Sequence, residues 1–206
     1  RFVEFVKLDK SLPVLEDLSR DESIAKYATN LVYLTSADNR YEIESKIIYS
    51  IINNSPKRAD IYWFAHVHVV DEPYTMEYRV CEFIHDDVIR VDFRLGFRVA
   101  PKFNKMFAQV VKDMQKRGEV DLTSRYTSLH KHKIISDFRF VLIEKFMSYD
   151  NALPFYEKLI LDGYNLLKKM GLSEEKAFGL DPGSVTIEKF PLKISETKAL
   201  KLTRID

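Results

Sequence analysis

The chain has 206 residues, of which 46% are hydrophobic and 31% are charged, so it can bury one substantial core and is expected to form a single main domain. Its 32 basic and 31 acidic residues leave a formal charge of +1, so no general field attracts nucleic acid, and nucleic acid is not an expected partner. The single cysteine excludes an internal disulfide or a cysteine-based zinc site, so a reducing compartment is expected. No run of residues approaches the roughly 18 apolar residues that span a bilayer, so this piece is expected to be soluble.

The first third of the chain predicts a strand, a helix and a second strand. Residues 31–35 are a short β-prone run. Asn39 precedes Glu42 at the spacing of a capping box, which predicts a helix that begins there, presents isoleucines on one face and ends near Pro56. Residues 61–70 are almost unbroken in apolar and aromatic side chains, as in a strand covered on both faces. This unit predicts two parallel strands, with the second at the centre of the sheet.

An antiparallel hairpin is predicted next. Residues 75–83 and 88–99 are both extended in pattern, and residues 85–87 form the turn between them. The second strand alternates, with its apolar residues from Ile89 to Phe97 facing one way. Arg90, Arg94 and Arg98 should therefore lie together on the other, exposed face.

The other predicted elements complete an α/β fold. Ser11 caps a short helix over residues 13–18, and Pro101 starts a helix that Gly118 ends. A long loop over residues 121–136 leads to a strand at 138–146, a third main helix at 155–170, and a strand at 185–194 that belongs at an edge because it contains Pro191. The predicted fold class is α/β (mixed α+β): a central mixed sheet of about six strands, in the order β-α-β-β-β-α-β-α-β, with three main helices. Residues 1–28 are expected to be a linker with a short helix, residues 29–195 one domain, and residues 196–206 a loose tail.

Several long motifs resemble one protein family. They are KYATNLVYLT, KIIYSI, PKRADIYWF, VDEPYTMEYRV, RVDFRLGFRVAP and EKAFGLD, in this order, and the resemblance that they carry covers about residues 27–195. The chain resembles the hydrophilic C-terminal region of bacterial potassium uptake proteins of the KUP/HAK/KT family. The resemblance implies a domain on the cytoplasmic side of the cell membrane, attached to a multi-pass body that carries potassium together with protons. It also implies a homodimer and a non-enzymatic regulatory or assembly role, in which the domain favours one conformation of the membrane body.

The arginine row is the candidate ligand site. Alternate residues on one strand face lie about 7 Å apart, which suits two phosphates or several carboxylates. Arg90, Arg94 and Arg98, with the rings of Tyr74, Tyr78 and Phe97, are therefore the candidate residues for binding a cyclic dinucleotide such as cyclic di-AMP or an adenine nucleotide. The resemblance makes inhibition of transport by such a bound nucleotide a reasonable alternative function of the domain. The structural alternative is that the arginines pair with acids such as Glu77 or Asp92 on their own sheet.

Two further groups of polar residues are interpreted as structural. His66 and His68 share a strand face at a metal-ligand spacing, but no third ligand is near them in sequence, so no metal is predicted. Lys57, Arg58 and Asp60 lie at the amino end of the central strand, whereas α/β sheets bind ligands beyond the carboxyl ends. Phosphate-loop, nucleophile-elbow and HExxH motifs are missing, so neither an enzyme nor a cofactor is predicted.

Overall fold

A computed structural model describes residues 4–53, 55–99, 103–143, 186–188 and 202–205. In these ranges the strands are β1 (Phe5–Lys7), β2 (Lys26–Thr35), β3 (Glu42–Glu44), β4 (Arg58–Val70), β5 (Met76–Ile84), β6 (Val88–Gly96), β7 (Phe138–Ile143), β8 (Thr186–Glu188) and β9 (Thr203–Arg204). The helices are α1 (Leu12–Arg20), α2 (Ser45–Ile52), α3 (Phe103–Lys116) and α4 (Thr127–His130). No helix in the described ranges is long and apolar enough to cross a membrane.

A mixed sheet organises these elements, as the α/β prediction required. Its strands in the described ranges follow the order β8-β7-β2-β4-β6-β5-β9. Strands β7, β2, β4 and β6 are parallel neighbours, whereas β5 is antiparallel to β6 and β8 is antiparallel to β7. The predicted parallel pairing, the central position of residues 61–70 and the antiparallel hairpin are therefore confirmed. A separate two-stranded ribbon of β1 and β3 adds to the predicted strand order.

Helices cover both faces of the sheet because β4 buries both sets of its alternating side chains. Its odd-numbered residues, such as Trp63, pack in one core cluster with Phe107 and its neighbours on α3. Its even-numbered residues, such as Phe64, pack in a second cluster with Leu15 of α1 and Ile47 of α2. A strand with apolar residues on both faces is thereby shielded from water on each side.

The predicted capping box at Asn39 and Glu42 is wrong. Glu42 begins the short strand β3, and α2 begins only at Ser45, without a side-chain cap. The side-chain Oδ1 of Asn39 accepts a hydrogen bond from the backbone N–H of Tyr41, which makes a local turn. Glu44, not Glu42, is the acidic residue that fixes this loop. Its carboxylate accepts hydrogen bonds from the hydroxyl of Thr35 at 2.5 Å and from the backbone N–H of Ser36 at 2.6 Å. The side chain of Asn39 therefore stabilises a turn and does not cap a helix, and α2 begins later in the chain than predicted.

The hairpin ends at a close backbone contact. β6 ends at Gly96, where an added Cβ would lie 2.2 Å from the carbonyl oxygen of Glu72 and 2.4 Å from the carbonyl carbon of Pro73. Only glycine allows this approach between the end of β6 and the turn before β5. The strand is therefore shorter than predicted, and Arg98 lies in the turn that follows it.

The two ends of the described chain are attached to the domain. Leu15 and Leu18 of α1 are buried in the second core cluster, so the apolar face of this helix packs on its own domain. Residues expected to be a loose tail include β9, which pairs with β5, and Arg204 donates to both carboxylate oxygens of Glu119 at 2.9 and 2.7 Å. The expectation of a loose tail is thus wrong for residues 202–205. The domain boundaries predicted at residues 28 and 195 stay predictions.

Some predicted elements lie partly or wholly outside the described residues. These are Pro101 at the start of α3, the third main helix at residues 155–170, and the proline-containing part of the last predicted strand. Within the described ranges, Gly118 follows α3 with a φ of 71°, as predicted for a helix stop, and β8 lies at an edge of the sheet.

Candidate functional site

One face of the sheet changes from apolar to polar along β4, β6 and β5. Beyond Phe64 on β4, the register places His66 beside Asp92 of β6 and His68 beside Arg94 of β6. Arg94 is in turn the register partner of Glu77 on β5. Directly paired residues point to the same side of a sheet. We call this set the polar face; it consists of His66, His68, Glu77, Arg79, Arg90, Asp92 and Arg94. The loop between β2 and β3, residues 36–41, lies against it.

Arg90 is the most enclosed member of the polar face. Only 1% of its surface is exposed. Its Nη2 donates to the carbonyl of Ala37 at 2.6 Å, its Nη1 donates to the carbonyls of Asn39 and Glu42 at 3.0 and 3.1 Å, and its Nε donates to Asp92 at 2.7 Å. The expectation that Arg90 lies on an exposed face is therefore wrong, because the loop of residues 36–41 covers it and supplies two of its four hydrogen-bond acceptors.

The other two arginines of the predicted row have different surroundings. Arg94 donates to the carboxylate of Glu77 at 2.8 Å, and both side chains are partly exposed. Pairing of Arg94 with Glu77 was the predicted alternative to ligand binding by this arginine. Arg98, beyond the end of β6, donates to the hydroxyl of the exposed Tyr74 at 3.3 Å, and its guanidinium lies 5.8 Å from the centre of the Phe97 ring. The three arginines therefore do not form one continuous exposed row.

Tyr78 lies on the opposite face of the sheet from Arg94. It pairs with Phe93 and is buried in the core cluster that contains α3. Its hydroxyl donates to the carboxylate of Asp113 at 3.2 Å. Burial, followed by the charge of Asp113, raises the pKa of Tyr78 to about 12, so the phenol stays neutral at physiological pH. The structure thus separates Tyr78 from the exposed arginines, while Tyr74 contacts one of them.

The polar face also contains a group that sequence reasoning missed. Asp38, from the loop of residues 36–41, places its Oδ1 3.2 Å from Nε2 of His66 and 3.7 Å from Nδ1 of His68. A signal for this contact existed in the predicted parallel pairing, because Thr35 at the end of β2 is the register partner of His66. The loop that leaves β2 must therefore pass close to both histidines.

The charged residues at the amino end of β4 have structural contacts. Lys57 donates to the carbonyl of Ser50 at 2.6 Å, and burial lowers its pKa. Arg58 donates to the carbonyls of Ser19 and Ile24, each at 3.2 Å. Asp60 forms a largely buried ion pair with Lys26 at 2.7 Å. Lys57 and Arg58 thus fasten α2 and α1 to the sheet, and Asp60 joins β4 to β2. The polar face is therefore the better candidate site.

Comparison with known proteins identifies close relatives. A family model described as the K+ potassium transporter C-terminal domain matches residues 28–194. The probable potassium transport system protein Kup of Cytophaga hutchinsonii is 55% identical over 205 residues, which cover 100% of this chain and 31% of the relative. The corresponding protein of Flavobacterium johnsoniae is 54% identical, over 99% of this chain and 31% of the relative. That of Clostridium perfringens is 39% identical, over 98% and 30%. No solved structure matches the chain.

Proposed function

The chain belongs to the family of potassium transporter C-terminal domains, and we propose that it is the cytoplasmic regulatory and assembly domain of a potassium uptake transporter. The observation that carries the proposal is the match of the family model to residues 28–194, in a chain that spans about 31% of the length of the curated relatives it matches. In this proposal the remainder of the protein is the membrane body that transports potassium, coupled to protons. A potassium transporter family is not an enzyme class, and we propose no catalytic activity.

A domain of this kind would act through its contacts with the membrane body. A partner shifts a conformational equilibrium only by the difference between its interactions with the two states, and such coupling usually changes an affinity by about 5–150-fold. The polar face supports this role because the buried Arg90 holds the loop of residues 36–41 from below and Arg94 is paired with Glu77, so the surface that these residues form is fixed.

The proposed function is tested by potassium uptake in cells. The full-length transporter, with and without this domain, would be produced in a bacterial strain that lacks its own potassium uptake systems. Removal of the domain is expected to change the uptake rate or the half-saturating potassium concentration at least about fivefold, at matched abundance in the membrane. The surface variant Tyr49→Ala is the control, because this tyrosine is 61% exposed on α2. Unchanged uptake of a rubidium tracer after removal of the domain would contradict a regulatory role.

A nucleotide sensor is the second candidate function. It is favoured by the exposed rings of Tyr74 and Phe97 beside Arg98, with Arg94 nearby along β6. Aromatic rings stack on bases and guanidinium groups bind phosphates, so this corner has both of the chemical groups that a cyclic dinucleotide needs. Arg90 and Tyr78 are buried, so the sensing proposed here depends on Tyr74, Arg94 and Arg98.

Calorimetric titration tests the sensor proposal. The chain would be titrated with cyclic di-AMP and a panel of adenine nucleotides, and Arg98→Ala is expected to weaken any binding about tenfold because a charge-assisted hydrogen bond is lost. Arg117→Ala is the matched control, since Arg117 is an exposed arginine just after α3. The absence of heat across the panel, or equal losses in both variants, would count against sensing at this corner.

A homodimer is the remaining part of the proposal. In the described ranges, β9 pairs only with Glu77 and Tyr78 of β5, so most of the outer edge of β5 has no strand beyond it. Unpaired strand edges favour association with another chain. Sedimentation of the chain at tens of micromolar is expected to give the mass of a dimer, and a monomeric mass would contradict this expectation.

A further inference from the structure

Three side chains that lie apart in sequence converge on the polar face with the spacing of a metal site. Asp38, His66 and His68 each offer one ligand atom, and these atoms all lie within 4.8 Å of one another. Two atoms bound to the same tetrahedral zinc ion, each about 2.1 Å from it, lie about 3.4 Å apart. The distances of 3.2 and 3.7 Å from Asp38 to the two imidazoles are already close to that value. The exposed side chains of Asp38 and His68 can adjust further.

The hydrogen bonding of His66 prepares one nitrogen for a cation. Its Nδ1 lies 3.0 Å from the backbone carbonyl oxygen of Thr35. A carbonyl oxygen only accepts hydrogen bonds, so Nδ1 carries the proton, and Nε2 of the neutral ring presents a lone pair. This is the arrangement in which histidine ligands of metals are usually held, with the second ring nitrogen donating to a carbonyl or carboxylate.

The buried Nε2 of His66 has no hydrogen-bond partner among the described residues. The side chain is 8% exposed, and Oδ1 of Asp38 lies 3.2 Å from this nitrogen without forming a hydrogen bond to it. Two acceptor atoms at this distance repel each other unless a cation lies between them. A metal ion between them would remove this repulsion, and His68 supplies the further ligand that a metal requires.

Neighbouring residues hold the loop that carries Asp38. Arg90 donates to the carbonyls of Ala37 and Asn39, the residues on either side of Asp38. At the start of the loop, the carboxylate of Glu44 accepts from the N–H and the hydroxyl of Ser36, each at 2.6 Å. The backbone of the loop is thus held on both sides of Asp38, which keeps this carboxylate within reach of the two histidines.

The other two carboxylates of the polar face are each paired with an arginine. Asp92, the register partner of His66, is neutralised by Arg90, and Arg94 beside His68 is paired with Glu77. Asp38 therefore remains as the local carboxylate available to a cation. One carboxylate and two neutral imidazoles would leave a bound divalent ion with a net charge of +1.

We propose that Asp38, His66 and His68 bind one divalent transition metal ion, with zinc as the best fit. Two imidazole nitrogens and one carboxylate suit zinc, cobalt and nickel, whereas calcium and magnesium prefer oxygen ligands alone. Because His68 and Asp38 are 56% and 83% exposed, the ion can enter from solvent, and water occupies the fourth position. The bound metal would fasten the loop of residues 36–41 to β4.

Metal titration of the untagged chain tests this site. After treatment with a chelator, the chain would be titrated calorimetrically with zinc, and cobalt would be added separately to record its ligand-field absorption spectrum. One ion per chain is expected, with a tetrahedral cobalt spectrum and a rise in Tm on zinc addition. His68→Gln and Asp38→Asn are each expected to weaken zinc binding at least about tenfold. Both side chains are exposed, so neither substitution should prevent folding.

His85→Gln is the matched control. His85 is an exposed histidine beside the carboxylates of Glu82 and Asp86, on the turn between β5 and β6, and its ligand-type atoms are as closely grouped as those of the proposed site. His85→Gln is expected to leave zinc affinity unchanged. The proposal is overturned if no stoichiometric binding occurs, if His68→Gln and Asp38→Asn bind zinc like the unmodified chain, or if His85→Gln abolishes binding.

Discussion

Replacement of Arg90 with methionine is expected to lower the free energy of unfolding by about 3–5 kcal/mol, because it removes one partner from a buried, charged hydrogen-bond network. The guanidinium group satisfies three backbone carbonyls, those of Ala37, Asn39 and Glu42, and also pairs with Asp92. Methionine fills much of the volume but donates no hydrogen bond, so these acceptors would be left in a site that excludes water. Urea unfolding, followed by the fluorescence of Trp63, measures the change; it is the single tryptophan of the chain.

The matched control for this prediction is Arg94→Met on the same strand. Arg94 forms an ion pair with Glu77 at 2.8 Å, but both side chains are partly exposed, so water can replace the lost contact. Exposed pairs of this kind contribute less than about 1 kcal/mol. Equal destabilisation by the two substitutions would show that Arg90 does not hold the loop of residues 36–41. A loss below about 1 kcal/mol for Arg90→Met would show the same.

The sheet could be predicted because its signal is local. A strand such as residues 61–70 must be apolar on both faces when helices cover both sides, and this requirement is visible in a few consecutive residues. Similarly, the alternation from Ile89 to Leu95 follows from a period of two along the chain. These patterns led to the parallel core and the hairpin without any knowledge of distant contacts.

The candidate site could not be predicted in the same way because distant segments create it. The alternation of apolar and polar residues along β6 correctly placed Arg90 on the polar face. The burial of Arg90, however, depends on contacts such as that with Ala37, which lies 53 residues earlier in the chain. Asp38 reaches the two histidines through the same loop. The failed capping box has a related cause, since Asn39 and Glu44 use their side chains to shape the loop and leave the start of α2 without a side-chain cap. Sequence spacing indicates which local contacts are possible, whereas tertiary structure decides which of them form.

The second large effect is expected at the centre of the sheet. Trp63→Ala should destabilise the domain by about 3–5 kcal/mol, because it opens a cavity in a dry core. The indole is fully buried, with ring centres 5.5 Å from that of Phe107 on α3 and 6.3 Å from that of Phe138 on β7. It therefore joins the helix that covers this face to two strands of the parallel sheet. Urea unfolding followed by far-ultraviolet circular dichroism measures the loss, because the substitution removes the fluorescent residue.

A second substitution at the same position separates packing from hydrogen bonding. The Nε1 of Trp63 donates to Oδ1 of Asn30 at 3.0 Å, and Nδ2 of Asn30 donates to the hydroxyl of Ser136 at 2.8 Å. Trp63→Phe keeps an aromatic ring but leaves this buried oxygen without a donor, so a loss of about 1–3 kcal/mol is expected. If Trp63→Phe is as damaging as Trp63→Ala, the network through Asn30 determines stability here. If Trp63→Phe costs almost nothing, the hydrogen bond is dispensable and packing against Phe107 and Phe138 alone holds β4 in place.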